Sequence, residues 1–194
     1  MASIIKNRAV IDDAWQVVRA AEDGALPAVD ALPAGKVLVP FALWQAERAA
    51  LVAAKTKDEL GVWLAPDSEP AELVADFGAI SLIAVEFPRF ADGRGYSIGR
   101  LLRERHGWTG ELRAIGDVLR DQLLYMSRCG FDAFAVRADK DIHDALNAFG
   151  EFTQRYQGAF DEPAPLFRRR ADADVATPDV ATPDVATPDT KVSA

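Results

Sequence analysis

Between Glu86 and Arg137 the sequence carries nine arginines and seven carboxylates but no lysine. A guanidinium is a rigid planar fork of donors that grips a carboxylate or oxyanion two bonds at a time, whereas a lysine ammonium is a flexible point charge. Arginine without lysine therefore points to directed recognition of anionic groups. The densest part is Glu86–Arg100, where Gly93 and Gly95 flank Arg94 and would let backbone N–H groups approach a ligand closely. Arg89, Arg94, Gly95, Ser97, Arg100 and Arg120 are the candidate anion-binding or partner-binding residues. Asp92, Tyr96 and Asp117 are the candidates for acid–base work. The competing structural reading is that these arginines pair with Glu86, Asp92 and Asp117 on an ordinary surface.

Other chemistries find little support in the residues. Asp92–Gly99 follows an apolar run and opens a helical pattern, so a helix N-terminus there could face an anion. It lacks the Lys-Ser/Thr of a Walker loop, and its glycines are not spaced GxGxxG, so neither nucleotide motif is present. Cys129 is the single cysteine, which rules out an internal disulfide and a CxxC site; in an apolar helix it reads as a small core residue. His106 and His143 stand apart, so no metal site is expected, and no residue pattern specifies a cofactor. The net charge is −8, with no generally basic surface, which argues against nucleic acid as a partner. The apolar runs fall well short of the roughly 20 residues of a membrane span. The first residues lack the charged-then-apolar order of a signal peptide, so a cytoplasmic location is expected.

The elements that must position these residues alternate regularly. Lys36–Phe41, Leu60–Leu64, Ser81–Phe87, Glu111–Gly116 and Asp132–Arg137 are short apolar runs of strand type. Helical patterns follow them: one through Leu43 to Leu51, then Glu69–Phe77, Ser97–His106, one beginning after Asp117, and Asp141–Tyr156. The fold class expected is α/β, built from repeated βα units with about five mostly parallel strands. An open flavodoxin-like sheet and a partial βα barrel satisfy this pattern equally. Ligands of parallel sheets lie beyond the carboxyl ends of the strands. That rule selects Pro40, Phe41, Trp44, Pro66, Asp67, Ser68, Glu86, Arg89, Asp92, Arg94, Tyr96, Ser97, Asp117, Arg120, Asp121, Gln122 and Arg137.

Three regions follow from this division. Residues 1–35 form an N-terminal strand and helix extension, with Ile4–Ile11 as a strand or hairpin and a capped helix from Asp12 and Asp13. Residues 36–160 form the α/β domain. Residues 161–194 form a linker and a tail in which Val175–Asp179 recurs at Val180–Asp184 and Val185–Asp189. A proline every five residues excludes a helix, so a disordered extended tail is expected.

Asp13-Ala-Trp15, Val37–Pro40 with Trp44, Gly61–Leu64, Phe87–Arg100 and Gly116–Leu123 together resemble a bacterial family of unknown function. Its members are typically encoded beside assimilatory sulfite reductase and phosphoadenylylsulfate reductase, and are often labelled oxidoreductases of sulfite reduction. The resemblance covers about residues 4–160, and Phe87–Arg100 is its specific part. It implies a role in sulfate assimilation and cysteine biosynthesis, with sulfite reductase as a partner or a small oxyanion such as sulfite as a ligand. A lone cysteine cannot ligate an iron–sulfur cluster, which sits uneasily with the oxidoreductase label. Two expectations result. One is an accessory protein that binds the reductase or an oxyanion through the arginine-rich loop; the other is a small oxidoreductase or transferase of sulfur metabolism whose cofactor site has no familiar motif.

Overall fold

The computed structural model describes residues 3–169. Their strands are β1 (Ser3–Lys6), β2 (Ala9–Asp12), β3 (Trp15–Val17), β4 (Lys36–Pro40), β5 (Leu60–Leu64), β6 (Leu82–Phe87), β7 (Glu111–Gly116) and β8 (Ala133–Phe134). All eight belong to one sheet with the order β2-β1-β8-β7-β6-β5-β4-β3. The α-helices are α1 (Phe41–Ala54), α2 (Arg94–Arg100), α3 (Arg120–Arg128) and α4 (Ile142–Leu146). The strands β3 to β8 are parallel to their neighbours, while β1 runs antiparallel to both β8 and β2. The five runs read from the sequence are therefore present, and the sheet is larger and more parallel than they indicated.

From β4 to β8 each connection moves one strand further in the same direction. Right-handed crossovers of that kind place every helix on one face. Val39, Val62, Ile83 and Leu112 are register partners on that face and share a core with Leu43, Ile98 and Leu123 from the helices. A flavodoxin-like sheet would reverse its direction and carry helices on both faces. Here the other face is concave, and the sheet is a curled half-barrel.

The N-terminal chain explains the curl. β2 and β3 lie at opposite edges of the sheet, yet only Asp13 and Ala14 separate them. Three Cα steps reach at most about 11 Å, so the edges must approach one another where this segment passes. The helix expected from Asp12 and Asp13 is extended chain instead. The Asp13 carboxylate does accept the Trp15 N–H at 3.1 Å, as a cap would. No helix follows, because Trp15–Val17 pairs with Lys36–Leu38 and the Trp15 ring packs over Leu38, Leu82, Ala84 and Ile115 on the concave face.

Helix boundaries differ from the expected ones in instructive ways. Glu69–Phe77 is a 3-10 helix over Pro70–Asp76, started by the Glu69 carboxylate on the Ala71 N–H. The helix expected at Ser97–His106 begins at Arg94 and continues past Arg100 as a π-helical turn over Leu101–Arg105. Asp141 caps α4, accepting the N–H groups of His143 and Asp144, but the helix ends at Leu146 and a 3-10 turn runs to Gly150. Only Ala133 and Phe134 of the fifth run enter the ladder. The Val-Ala-Thr-Pro-Asp repeat lies outside the described residues.

One glycine controls the rim of the sheet. Gly116 closes β7 at φ +97, and a Cβ there would stand 2.4 Å from the Phe87 carbonyl oxygen. Gly24 shares a left-handed φ of +82 but has nothing within 4 Å. Gly116→Ala is therefore expected to lose about 2 kcal/mol or more, against about 1 kcal/mol for Gly24→Ala, in urea unfolding. Equal losses at the two positions would refute the steric argument.

Candidate functional site

The carboxyl ends of β6, β7 and β8 carry the polar chemistry picked out from the sequence. Pro88 to Gly93 links β6 to α2, and α2 seats itself on β6 through Gly95, where a Cβ would lie 2.6 Å from the Phe87 ring. Tyr96 then stacks edge-on against Phe87 at 5.1 Å and Tyr125 at 5.0 Å. Burial pushes the Tyr96 phenol up, away from the range of a useful base. Ser97 lies inside α2 and is exposed, with Gly93 at the cap position.

Most of the candidate arginines are already engaged. Arg94 grips Asp92 with two bonds, Nε to Oδ1 at 3.0 Å and Nη2 to Oδ2 at 2.7 Å. The hydrogen bond from Arg94 holds the Asp92 carboxyl below its usual range. Arg100 pairs with Glu104 one turn along, at 2.9 Å. Arg120 reaches Asp144 at 3.0 Å and Glu151 at 2.6 Å. These three arginines thus answer to separate carboxylates and do not assemble around one point. Arg89 is exposed and makes no ion pair among the described residues.

Asp117 ties the loop after β6 to the segment after β8. It does not cap α3; the Leu119 N–H there donates to the Gln122 side chain at 3.0 Å. One Asp117 oxygen accepts the Phe90 N–H at 2.9 Å and the other accepts Arg137 Nη1 at 2.7 Å. The buried Gln122 amide completes the clamp by donating to the Phe90 carbonyl at 3.3 Å. Arg137 also holds Asp139, whose carboxyl is drawn down to about 2 by that hydrogen bond. Phe90 itself is 51% exposed. Its ring stands in solvent while its backbone is pinned from both sides. A Phe in a loop gives no sign of this in the sequence, because its partners lie 27 and 32 residues away.

Two further features share this end of the sheet. Arg19, absent from the sequence candidates, bonds Glu86 at 2.6 Å and lies over the Trp63 ring at 5.4 Å. A cleft of about 370 Å³ beside it brings together Pro40, Phe41, Trp63, Asp67, Ser68 and Glu72. Its carboxylates would repel an oxyanion. Trp44 is not in this cleft; it is buried and donates to Asp76 at 2.7 Å. Burial raises the Cys129 thiol, as for an inert core cysteine. Among the described residues no three His, Cys, Asp or Glu side chains are placed to hold a metal, and no helix is long and apolar enough to cross a membrane.

Fold and site together define a curled βα half-barrel protein with an arginine- and carboxylate-rich rim at its carboxyl strand ends. The chain belongs to the bacterial protein family of unknown function DUF934, whose model matches residues 61–167. That span runs from β5 through the rim to the segment after α4. No curated protein and no solved structure matches the chain.

Proposed function

We propose that this protein is an accessory component of assimilatory sulfite reduction that acts by docking the reductase through the loop between β6 and α2. The observation that carries this reading is the pair Arg89 and Phe90. Interfaces are anchored by aromatic and arginine side chains, and preorganised anchors bind with less loss of conformational freedom. Phe90 is such an anchor, exposed in its ring and clamped in its backbone by Asp117 and Gln122. Arg89 beside it keeps its donors for a partner carboxylate. The partial βα barrel presents this loop at the end where such sheets carry their sites. The sulfite pathway enters through the sequence resemblance at Phe87–Arg100. An oxyanion held in the same loop is less favoured, because Arg94 is already chelated by Asp92.

The enzymatic reading has weaker support. An acid or base at the rim needs a pKa near the working pH. Asp92 is held low by Arg94, Tyr96 is pushed up, and both oxygens of Asp117 are engaged. Co-purification of tagged protein with sulfite reductase tests the proposal. Arg89→Glu with Phe90→Ala is expected to reduce capture at least about tenfold, since truncated anchors lose about 2 kcal/mol or more. Undiminished capture, or no capture by the parent protein, would remove the docking role. Growth of a deletion strain on sulfide but not on sulfite would place the requirement at sulfite reduction.

A further inference from the structure

A cavity of about 230 Å³ lies at the other end of the sheet, around the start of β8, away from the rim. Its apolar wall is made by Phe131, Phe134, Phe149 and Phe160. Phe134 and Phe149 sit ring to ring at 5.4 Å, which fixes the floor. Sites that take small organic molecules look like this: an aromatic lining with a few polar groups that set orientation.

The charged groups of the lining are Arg8, Arg103, Asp132 and Asp161, joined by the neutral Asn7 and Ser127. Arg103 lines the cavity with its side chain 6% exposed. It donates to the carbonyls of Gly130, Trp108 and Gly110 and, through Nη2, to Asp132. That leaves one Nη2 hydrogen without an acceptor among the described residues. Arg8 sits in the β1–β2 turn at φ 62, with its guanidinium 5.8 Å from the centre of the Phe149 ring, and it makes no ion pair among the described residues. Asp161 on the wall is shared by Arg155 at 3.1 Å and Arg128 at 3.7 Å. Arg128 Nη1 and Arg155 Nε are buried without a hydrogen-bond partner among the described residues, but neither residue lines the cavity. Both carboxylates of the lining are paired, Asp132 with Arg103 and Asp161 with Arg155 and Arg128, so among the described residues the unpaired charge of the lining is that of Arg8.

An apolar box whose carboxylates are already paired, with an unpaired guanidinium at Arg8 and a spare Arg103 N–H, suits an apolar anion. A neutral hydrocarbon would leave the donors unpaired, and a cation would be repelled. We infer that this cavity binds a small organic carboxylate, with a phenyl or branched alkyl group among the phenylalanines and its carboxylate on Arg8 at the mouth. This site is independent of the docking loop, and either can stand without the other.

Calorimetric titration of the full chain with 3-phenylpropionate tests the inference, with 3-phenylpropan-1-ol as the neutral match. Saturable binding is expected with Kd on the order of 0.1–1 mM, in range for a ligand of about eleven heavy atoms. Both the alcohol on the parent protein and the acid on Arg8→Asn are expected to bind about tenfold more weakly, since each loses the charged hydrogen bond. Asparagine tolerates the left-handed backbone at position 8, so this variant should keep its fold, which circular dichroism checks. The inference fails if the parent shows no saturable binding up to about 10 mM, a range that covers the expected affinity. It fails equally if acid and alcohol bind alike, or if folded Arg8→Asn binds the acid as tightly as the parent.

Discussion

Arg113→Leu is expected to lower the unfolding free energy by about 3–5 kcal/mol, the loss typical when one member of a buried ion network is removed. Arg113 sits on the concave face of β7 with its side chain 2% exposed. Its Nη1 holds both oxygens of Asp13, at 2.9 and 3.0 Å, and its Nε donates to Glu111 at 2.8 Å. Lys6 reaches the other Glu111 oxygen at 2.7 Å, so two cations meet two carboxylates in one network. Asp13 belongs to the two-residue passage from β2 to β3, and Arg113 therefore ties the two edges of the curled sheet to its middle. Leucine would fill the space but leave Asp13 without a cation, since among the described residues its carboxylate otherwise accepts the Trp15 N–H alone. Adding Asp13→Ala to Arg113→Leu should then recover part of the loss, a non-additive result readable in urea unfolding. A loss below about 1 kcal/mol in the single variant would show that the network contributes little, as exposed pairs do.

The second large effect is expected at Arg103. Its guanidinium satisfies three main-chain carbonyls and Asp132, and so ties the π-helical turn after α2 to the starts of β7 and β8. Arg103→Met keeps the aliphatic packing but removes all four hydrogen bonds. A loss of about 3–5 kcal/mol is expected, or roughly 10 °C in Tm for a chain of this size. Arg103→Lys should recover only part of it, since an ammonium cannot reproduce the fork. The pH dependence carries a sign. Burial raises the Asp132 carboxyl, and Arg103 opposes that shift. Without Arg103 the folded state binds the Asp132 proton still more tightly than the unfolded chain does. A group raised in this way favours folding below its unfolded pKa and loses that contribution as pH rises through the folded pKa. The deficit of Arg103→Met relative to the parent should therefore be smaller at about pH 5 than at about pH 8. A deficit independent of pH would mean that the lost carbonyl contacts, not the stranded carboxylate, dominate.

These two arginines show where reading the sequence stops. Arg103 and Arg113 belong to the same arginine-rich segment as Arg89, Arg94 and Arg100, and composition alone treats them alike. The structure separates them into buried ties and exposed rim groups. Glu111-Leu-Arg-Ala-Ile does alternate as a strand, with Leu112 and Ala114 facing the helices. Alternation says that Arg113 faces the other way, but not that this face is closed over. Closure depends on Asp13, which lies 100 residues away, just as the rim contact of Glu86 depends on Arg19, 67 residues away.

The sequence by itself determined the five parallel runs, most of their helices and the concentration of polar residues at the carboxyl strand ends. Those are local properties: hydrophobic period, turn residues and the handedness of a βα step act within about thirty residues. Only the tertiary structure decided between an open sheet and a curled one, because that choice rests on β2 running through Asp13 and Ala14 into β3 at the opposite edge. It alone distributed the arginines between core ties and rim, and it alone pinned Phe90 in solvent. Each of those outcomes depends on hydrogen bonds between residues distant in the chain, whose pairing emerges only when the sheet has closed around them.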